Sequence, residues 1–137
     1  MKTLFSLLIL FSSFSNKEPV GEKGISFFTS KYAEARALAK KTNKPIFIDA
    51  YTVWCGPCKK MAKDVFTDSD VGSFFNKNFI NVKMDMEKTS GALIGRRYDV
   101  HFYPTLLFIL PSGELIRKEV GYHSKAKLLK VARDAVH

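Results

Sequence analysis

The chain has 137 residues, 46% of them hydrophobic and 13% aromatic, and a formal net charge of +9. That size and apolar content fit one globular domain and exclude a disordered segment. The basic excess suits acidic partners or anionic surfaces without implying nucleic acid, and a cysteine count of 2 is too small for a disulfide-stapled miniprotein or a four-cysteine zinc site.

Residues 1–15 have the shape of a signal peptide. Lys2 is followed by an apolar run from Leu4 to Phe14, shorter than the ~20 residues that span a bilayer, and Ser13 and Ser15 stand at the −3 and −1 positions of a cut before Asn16. The expectation is export to a periplasmic or secreted, oxidising compartment, with no stable membrane insertion after cleavage; an uncleaved anchor is the alternative. Residues 16–24, polar and containing Pro19, read as a short tether, and residues 25–137 as the domain.

Ile25 to Phe28 reads as a first strand. Lys31 to Thr42, with Ser30 as its cap, reads as a helix burying Tyr32, Ala35, Leu38 and Ala39 and ended by Asn43 and Pro45. Ile46 to Tyr51 is an apolar, β-rich run of the kind buried on both faces of a parallel sheet. Lys59 to Val65 predicts a helix, and Thr67 to Asn76 another, opened by Thr67-Asp68-Ser69-Asp70 and burying Val71, Phe74 and Phe75. Phe79 to Met86 predicts a strand and Ser90 to Tyr98 a helix. Thr105 to Leu110 and Leu115 to Gly121 flank the hairpin signal Pro111-Ser112-Gly113, and Ser124 caps a last helix through Val136. Strands alternating with helices, then a hairpin and a helix, define an α/β domain with a central mixed β-sheet flanked by helices.

The chemistry centres on Trp54-Cys55-Gly56-Pro57-Cys58-Lys59, where a buried strand gives way to a helix. Cysteines at i and i+3 on the first turn can close a small disulfide, while free N–H groups and the helix dipole favour a thiolate on the first. Cys55 is therefore the expected nucleophile. Cys58, one turn inside and more shielded, is the expected resolving thiol, attacking the mixed disulfide that Cys55 forms with a substrate. Pro57 presets a helical φ, and Gly56 lets another chain come close. The alternatives are half a zinc site or an inert structural disulfide. Neither fits well: no second cysteine pair exists, and His101, His123 and His137 fall on separate elements, so no metal is expected. Asp49 lies inside an apolar strand, where a carboxylate is costly to bury unless it serves as an acid or base; a solvated Asp at a strand edge is the plainer reading.

This constellation resembles the thioredoxin family from about Ile25 to Val136. The Trp-Cys-Gly-Pro-Cys-Lys motif follows a strand containing Asp49, Tyr103-Pro104-Thr105 is similar to the family's cis-proline loop, and Gly121 stands where the family places a glycine. Lys63 replaces the usual helix-kinking proline, and the stretch through Phe79 is more similar to exported relatives such as the C-terminal domain of the membrane thiol transporter DsbD. The resemblance implies a thioredoxin fold and no cofactor beyond a redox-active Cys55–Cys58 disulfide. It implies Asp49 as a buried base of raised pKa for Cys58, and Lys83 as its paired amine, although a plain surface lysine reads almost as well. It implies a cis Pro104 loop where an extended substrate pairs beside Tyr103 and touches Trp54; a purely packing Trp54 and an edge-strand Pro104 are the plain alternatives.

The expected activity is protein-disulfide reduction by a monomer on extracytoplasmic protein substrates, with a membrane thiol transporter as electron donor. A disulfide oxidase or isomerase of the same fold, or a non-catalytic binding module, stands as the alternative.

Overall fold

The computed structural model describes residues 23–137. The expected signal segment 1–15 and residues 16–22 of the tether lie outside the described residues. The elements are β1 (Phe28–Thr29), α1 (Tyr32–Thr42), β2 (Ile46–Tyr51), α2 (Gly56–Asp64), α3 (Ser69–Asn78), β3 (Ile80–Asp85), α4 (Thr89–Arg97), β4 (Thr105–Ile109), β5 (Leu115–Val120) and α5 (Lys125–Ala135).

Among the described residues they form one 5-stranded sheet in the order β1-β3-β2-β4-β5. β3 runs parallel to β1 and β2, whereas β4 runs antiparallel to both β2 and β5. β2 is central, and every residue from Ile46 to Ala50 is buried. The mixed sheet flanked by helices is the architecture that the order of sequence elements predicts.

Helix boundaries follow local chemistry. Asn43 closes α1 in the left-handed conformation (φ 53°), donating its N–H to the Ala39 carbonyl. Asp68 caps α3, its carboxylate accepting from the Asp70 and Val71 N–H groups at 2.9 and 3.1 Å. Ser124 caps α5 through the Lys127 N–H. Lys125 reaches from that first turn to Asp68 at 3.0 Å and Asp70 at 2.6 Å, tying the starts of α3 and α5 together.

Three details at the start of the domain depart from the sequence reading. β1 spans Phe28–Thr29 only, because the preceding donors are used elsewhere: the Ile25 N–H bonds Phe66 O and the Ser26 N–H bonds Asn76 Oδ1. Ser30 does not cap α1. Its N–H extends the pairing with β3 through Lys83 O, so Lys31 takes the cap position without a side-chain hydrogen bond. Gly24, expected in the tether, is buried against α3, where a Cβ on Gly72 would fall 2.3 Å from the Gly24 carbonyl oxygen. The close approach of these two backbones requires glycine at position 72.

The two faces of the sheet carry different cores. Ile46, Ile48, Ala50, Val82, Met84, Leu107 and Ile109 pack with α1 and α4. Phe47, Leu106 and Phe108 pack with Phe66, Phe75, Phe79 and the apolar face of α5. The disulfide motif opens α2, which packs on this second, aromatic face through Met61.

Candidate active site

β2 ends at Tyr51, and Thr52-Val53-Trp54 turn the chain into α2. The turn is closed by the Cys55 N–H donating to the Thr52 carbonyl at 3.3 Å. Cys55 is the N-cap of α2, and Pro57 lies in its first turn, where a missing N–H costs nothing. Cys55 and Cys58 are joined as a disulfide with Cα atoms 5.3 Å apart.

Burial does not separate the two residues in this form: Cys55 and Cys58 are each 4% exposed, where helix position predicts a more shielded Cys58. The closed bond ties both to one short turn. Hydrogen bonding does separate them. The Cys58 N–H donates to Cys55 Sγ at 3.2 Å, so the free donor at the start of α2 serves Cys55.

Beneath the motif, the β2–β3 register sets Asp49 directly opposite Lys83. Asp49 is 1% exposed, which rules out the solvated strand-edge reading. Lys83 Nζ lies 3.3 Å from Asp49 Oδ2, an ion pair in which neither carboxylate oxygen accepts a well-formed hydrogen bond. Burial pushes the Asp49 carboxyl up to about 6, and the Lys83 ammonium pulls it only part of the way back. The Lys83 ammonium also faces the rings of Tyr51, Phe27 and Phe66 at 4.8, 5.5 and 5.6 Å. A crevice of about 190 Å³ leads to this level, bordered by Thr52, Cys58, Lys59, Ala62 and Lys83. A larger groove of about 500 Å³ between α1 and α4, lined by Tyr32, Leu93 and Ile94, includes neither cysteine.

On the outer side, Trp54 is 65% exposed, which excludes a purely packing role. Its ring meets Tyr103 edge-on at 6.0 Å, and its indole N–H donates to Glu87 Oε1. The Tyr103–Pro104 peptide is cis. Pro104 leads into β4, which is not an edge strand, and its carbonyl accepts the Gly121 N–H at 2.7 Å. Gly56 has open space around it: a Cβ there would meet nothing within 4 Å. Val53, Trp54 and Phe102 are exposed apolar side chains around this mouth.

The structure thus pairs Asp49 with Lys83, puts Lys83 and Cys58 on one crevice, joins Cys58 to Cys55, and sets Trp54 and Tyr103 in mutual contact. The histidines do not join them. His123 is fully buried, with Nε2 3.4 Å from Glu119 and its backbone N–H on Met61 Sδ, and His101 pairs with Asp99. Among the described residues no group of three His, Cys, Asp or Glu side chains is placed to hold a metal, and no helix is long and apolar enough to cross a membrane. Two neighbours escape the sequence reading. Thr52 is 1% exposed with an unpartnered hydroxyl, and its only signal is a polar residue type at the end of an apolar run. Glu87, 33 residues from Trp54, gives no local signal.

A strand of this register feeding a Cys-Gly-Pro-Cys helix, opposite a cis-proline loop, defines a thioredoxin fold with a dithiol–disulfide site. The sequence model of the family described as "Thioredoxin-like" matches residues 28–111, and the chain belongs to this family of disulfide oxidoreductases. It is 28% identical over 100 residues to a thioredoxin-like protein of Synechocystis sp., spanning 73% of this chain and 90% of that one. A solution structure described as a candidate disulphide-isomerase from Bacteroides thetaiotaomicron is 45% identical, with a TM-score of 0.74 over 84% of this chain and 95% of that one. The oxidised C-terminal domain of DsbD from Neisseria meningitidis shares the fold at 17% identity, with a TM-score of 0.67 over 80% of this chain and 99% of the domain.

Proposed function

We propose that this protein is an extracytoplasmic protein-disulfide reductase in which Cys55 attacks and Cys58 resolves. The observation that carries the reading is the Cys58 N–H directed at Cys55 Sγ from the start of α2, which stabilises an attacking thiolate on Cys55 alone. The Cys55 thiolate attacks one sulfur of a substrate disulfide, forming a mixed disulfide and releasing the other substrate sulfur as a thiolate. Asp49 takes the proton of Cys58, held near the working pH by its burial. The Cys58 thiolate then attacks Cys55 Sγ, the bond to substrate breaks, and the Cys55–Cys58 disulfide forms as the substrate dithiol leaves reduced. Lys83 holds the Asp49 carboxylate and compensates its charge once the proton has moved on.

Trp54, Gly56, Pro57, Tyr103 and Pro104 form the substrate surface: Gly56 and Pro57 leave room for an extended chain, and Tyr103 and Pro104 offer it backbone groups. The redox-active disulfide serves in place of a cofactor. Export by residues 1–15 puts the monomer outside the cytosolic thiol pool, so its electrons come from a membrane thiol transporter. The 45% identity to the Bacteroides protein described as a candidate disulphide-isomerase supports a second reading, disulfide isomerisation.

Equilibration with glutathione buffers separates the two. A Cys55–Cys58 potential below about −230 mV fits a reductase, and one above about −180 mV fits an oxidase or isomerase and removes the donor from the scheme. Cys55→Ser is expected to abolish disulfide reduction, and Cys58→Ser to trap mixed disulfides with substrates and with the donor. A parent without disulfide reduction whose partner binding is unchanged in Cys55→Ser would leave only a binding module.

A further inference from the structure

We propose that Thr52 is a positioning residue of the redox site, its hydroxyl unpaired while the Cys55–Cys58 disulfide is closed and donating to the Cys58 sulfur once the pair is reduced. The inference rests on the reading of Cys58 as the resolving thiol. Thr52 is 1% exposed and its Oγ1 has no hydrogen-bond partner. A buried hydroxyl left unpaired carries its full desolvation penalty, so its retention here calls for a state in which it is paired. Thr52 borders the same crevice as Cys58, and its carbonyl holds the Cys55 N–H at 3.3 Å, which fixes its backbone to the motif. Its β-branched side chain has few rotamers to lose on ordering.

Three donors near Cys58 are engaged elsewhere. The Cys58 N–H goes to Cys55 Sγ, and the Lys59 N–H goes to the Cys55 carbonyl. The Lys83 ammonium faces Asp49 from β3 and lies over the Tyr51 ring. A disulfide sulfur is a weak acceptor, whereas a thiolate takes a charge-assisted hydrogen bond. Opening the disulfide frees the Cys58 sulfur from the S–S bond, so that it accepts from Thr52 weakly as a thiol and strongly as the resolving thiolate. The hydroxyl stabilises the dithiol form over the disulfide form and steadies the resolving anion before it attacks Cys55.

The test is the equilibrium of the full domain with glutathione, in which two glutathiones are oxidised to one glutathione disulfide as Cys55–Cys58 is reduced. Thr52→Val, which keeps the shape and removes the hydroxyl, is expected to shift this equilibrium about fivefold toward the protein disulfide, equivalent to about 20 mV. Thr52→Ser is expected to stay within twofold of the parent. In thermal melts Thr52→Val should be at least as stable as the parent in the disulfide form and less stable in the dithiol form. A shift of twofold or less in Thr52→Val, a shift toward the dithiol, or an equal shift in Thr52→Ser overturns the proposal. Thr52→Ala gives the same reading if the valine variant does not fold. The equilibrium reports on the cysteine pair itself, so inactivity toward protein disulfides would refute the reductase reading while leaving this measurement intact.

Discussion

The two faces of the sheet are built from alternate residues of the same strands and do different work. On the α1 and α4 side, β2 presents Ile46, Ile48 and Ala50 and β3 presents Val82 and Met84, an aliphatic surface without a charge. On the other side, β2 presents Phe47 and then Asp49, while β3 carries Asn81, Lys83 and Asp85. There Phe47 meets Phe75 at 4.7 Å and Phe108 at 5.2 Å in a network of edge-on and tilted rings. The rings supply a low-dielectric wall, and burial there raises the Asp49 carboxyl in spite of its Lys83 partner. A strand with period two thus separates support from chemistry, one face each.

Removing one ring separates the two faces most strongly. Phe47→Ala is expected to cost about 3–5 kcal/mol, because Phe47 is fully buried and holds several other rings in register. Ile48→Val, its neighbour on the aliphatic face, should cost only about 0.5–1.5 kcal/mol. Urea melts of the two variants give the contrast, and equal losses would mean that the faces do not differ in how they hold the sheet.

Asp49→Asn tests the charged level of the aromatic face. The Asp49 carboxyl is raised from 3.8 to about 6 by burial, against the pull of Lys83. Between those values the folded protein holds a proton that the unfolded chain has released, so stability falls as pH rises from about 4 to about 6 and then levels off, by about 3 kcal/mol in all. Asp49→Asn should abolish that slope. It should melt higher than the parent at pH 7.5 and close to it at pH 4, while resolving mixed disulfides more slowly. A variant less stable than the parent at pH 7.5 would show that pairing with Lys83 outweighs the burial of the charge.

Much of this is legible along the chain. β2 announces itself as an apolar run, and the Cys55–Cys58 spacing with Pro57 in the first turn announces a dithiol helix, because each depends on residues within one or two turns. Asp68 and Ser124 likewise mark helix starts by side-chain chemistry that acts over three residues. What the chain order does not supply is register. Asp49 finds Lys83 only because β2 and β3 pair in one alignment out of several, so the resemblance to a family has to stand in for physics there. Thr52 and Glu87 escape because their significance is a matter of burial and of distant contact. The first strand is shorter than its residues suggest for a related reason: Ile25 and Ser26 have strand-like neighbours, but Phe66 and Asn76 take their N–H groups.

The α2–α3 side can be probed at its rim through Gly72→Ala. The added Cβ would lie 2.3 Å from a backbone oxygen and 2.6 Å from the Cα of Gly24, with no flexible side chain to yield, so the start of the domain must lift off α3. A loss of about 1–3 kcal/mol is expected. Faster amide exchange should be confined to Ile25 and Ser26, whose N–H groups bond Phe66 and Asn76. Exchange spreading into β2 would mean that this segment is integral to the aromatic core and not merely docked on it.

The smallest effect belongs to the outer mouth. Glu87 accepts the Trp54 indole N–H and so holds an exposed ring edge-on to Tyr103. Neither residue belongs to a core, so Glu87→Ala should leave the melting temperature within about a degree, in line with the small effects of surface substitutions. The freed indole must then be ordered by the substrate itself, at the entropic cost of one immobilised side chain. The KM for a protein disulfide should therefore rise about two- to fivefold with kcat unchanged, the pattern of a lost ground-state contact. A fall in kcat instead would place Glu87 in the thiol chemistry, through the Asp85–Glu87 turn in which the Glu87 N–H bonds Asp85 Oδ1 at 3.0 Å, and the division between a reactive site and a passive mouth would have to be redrawn.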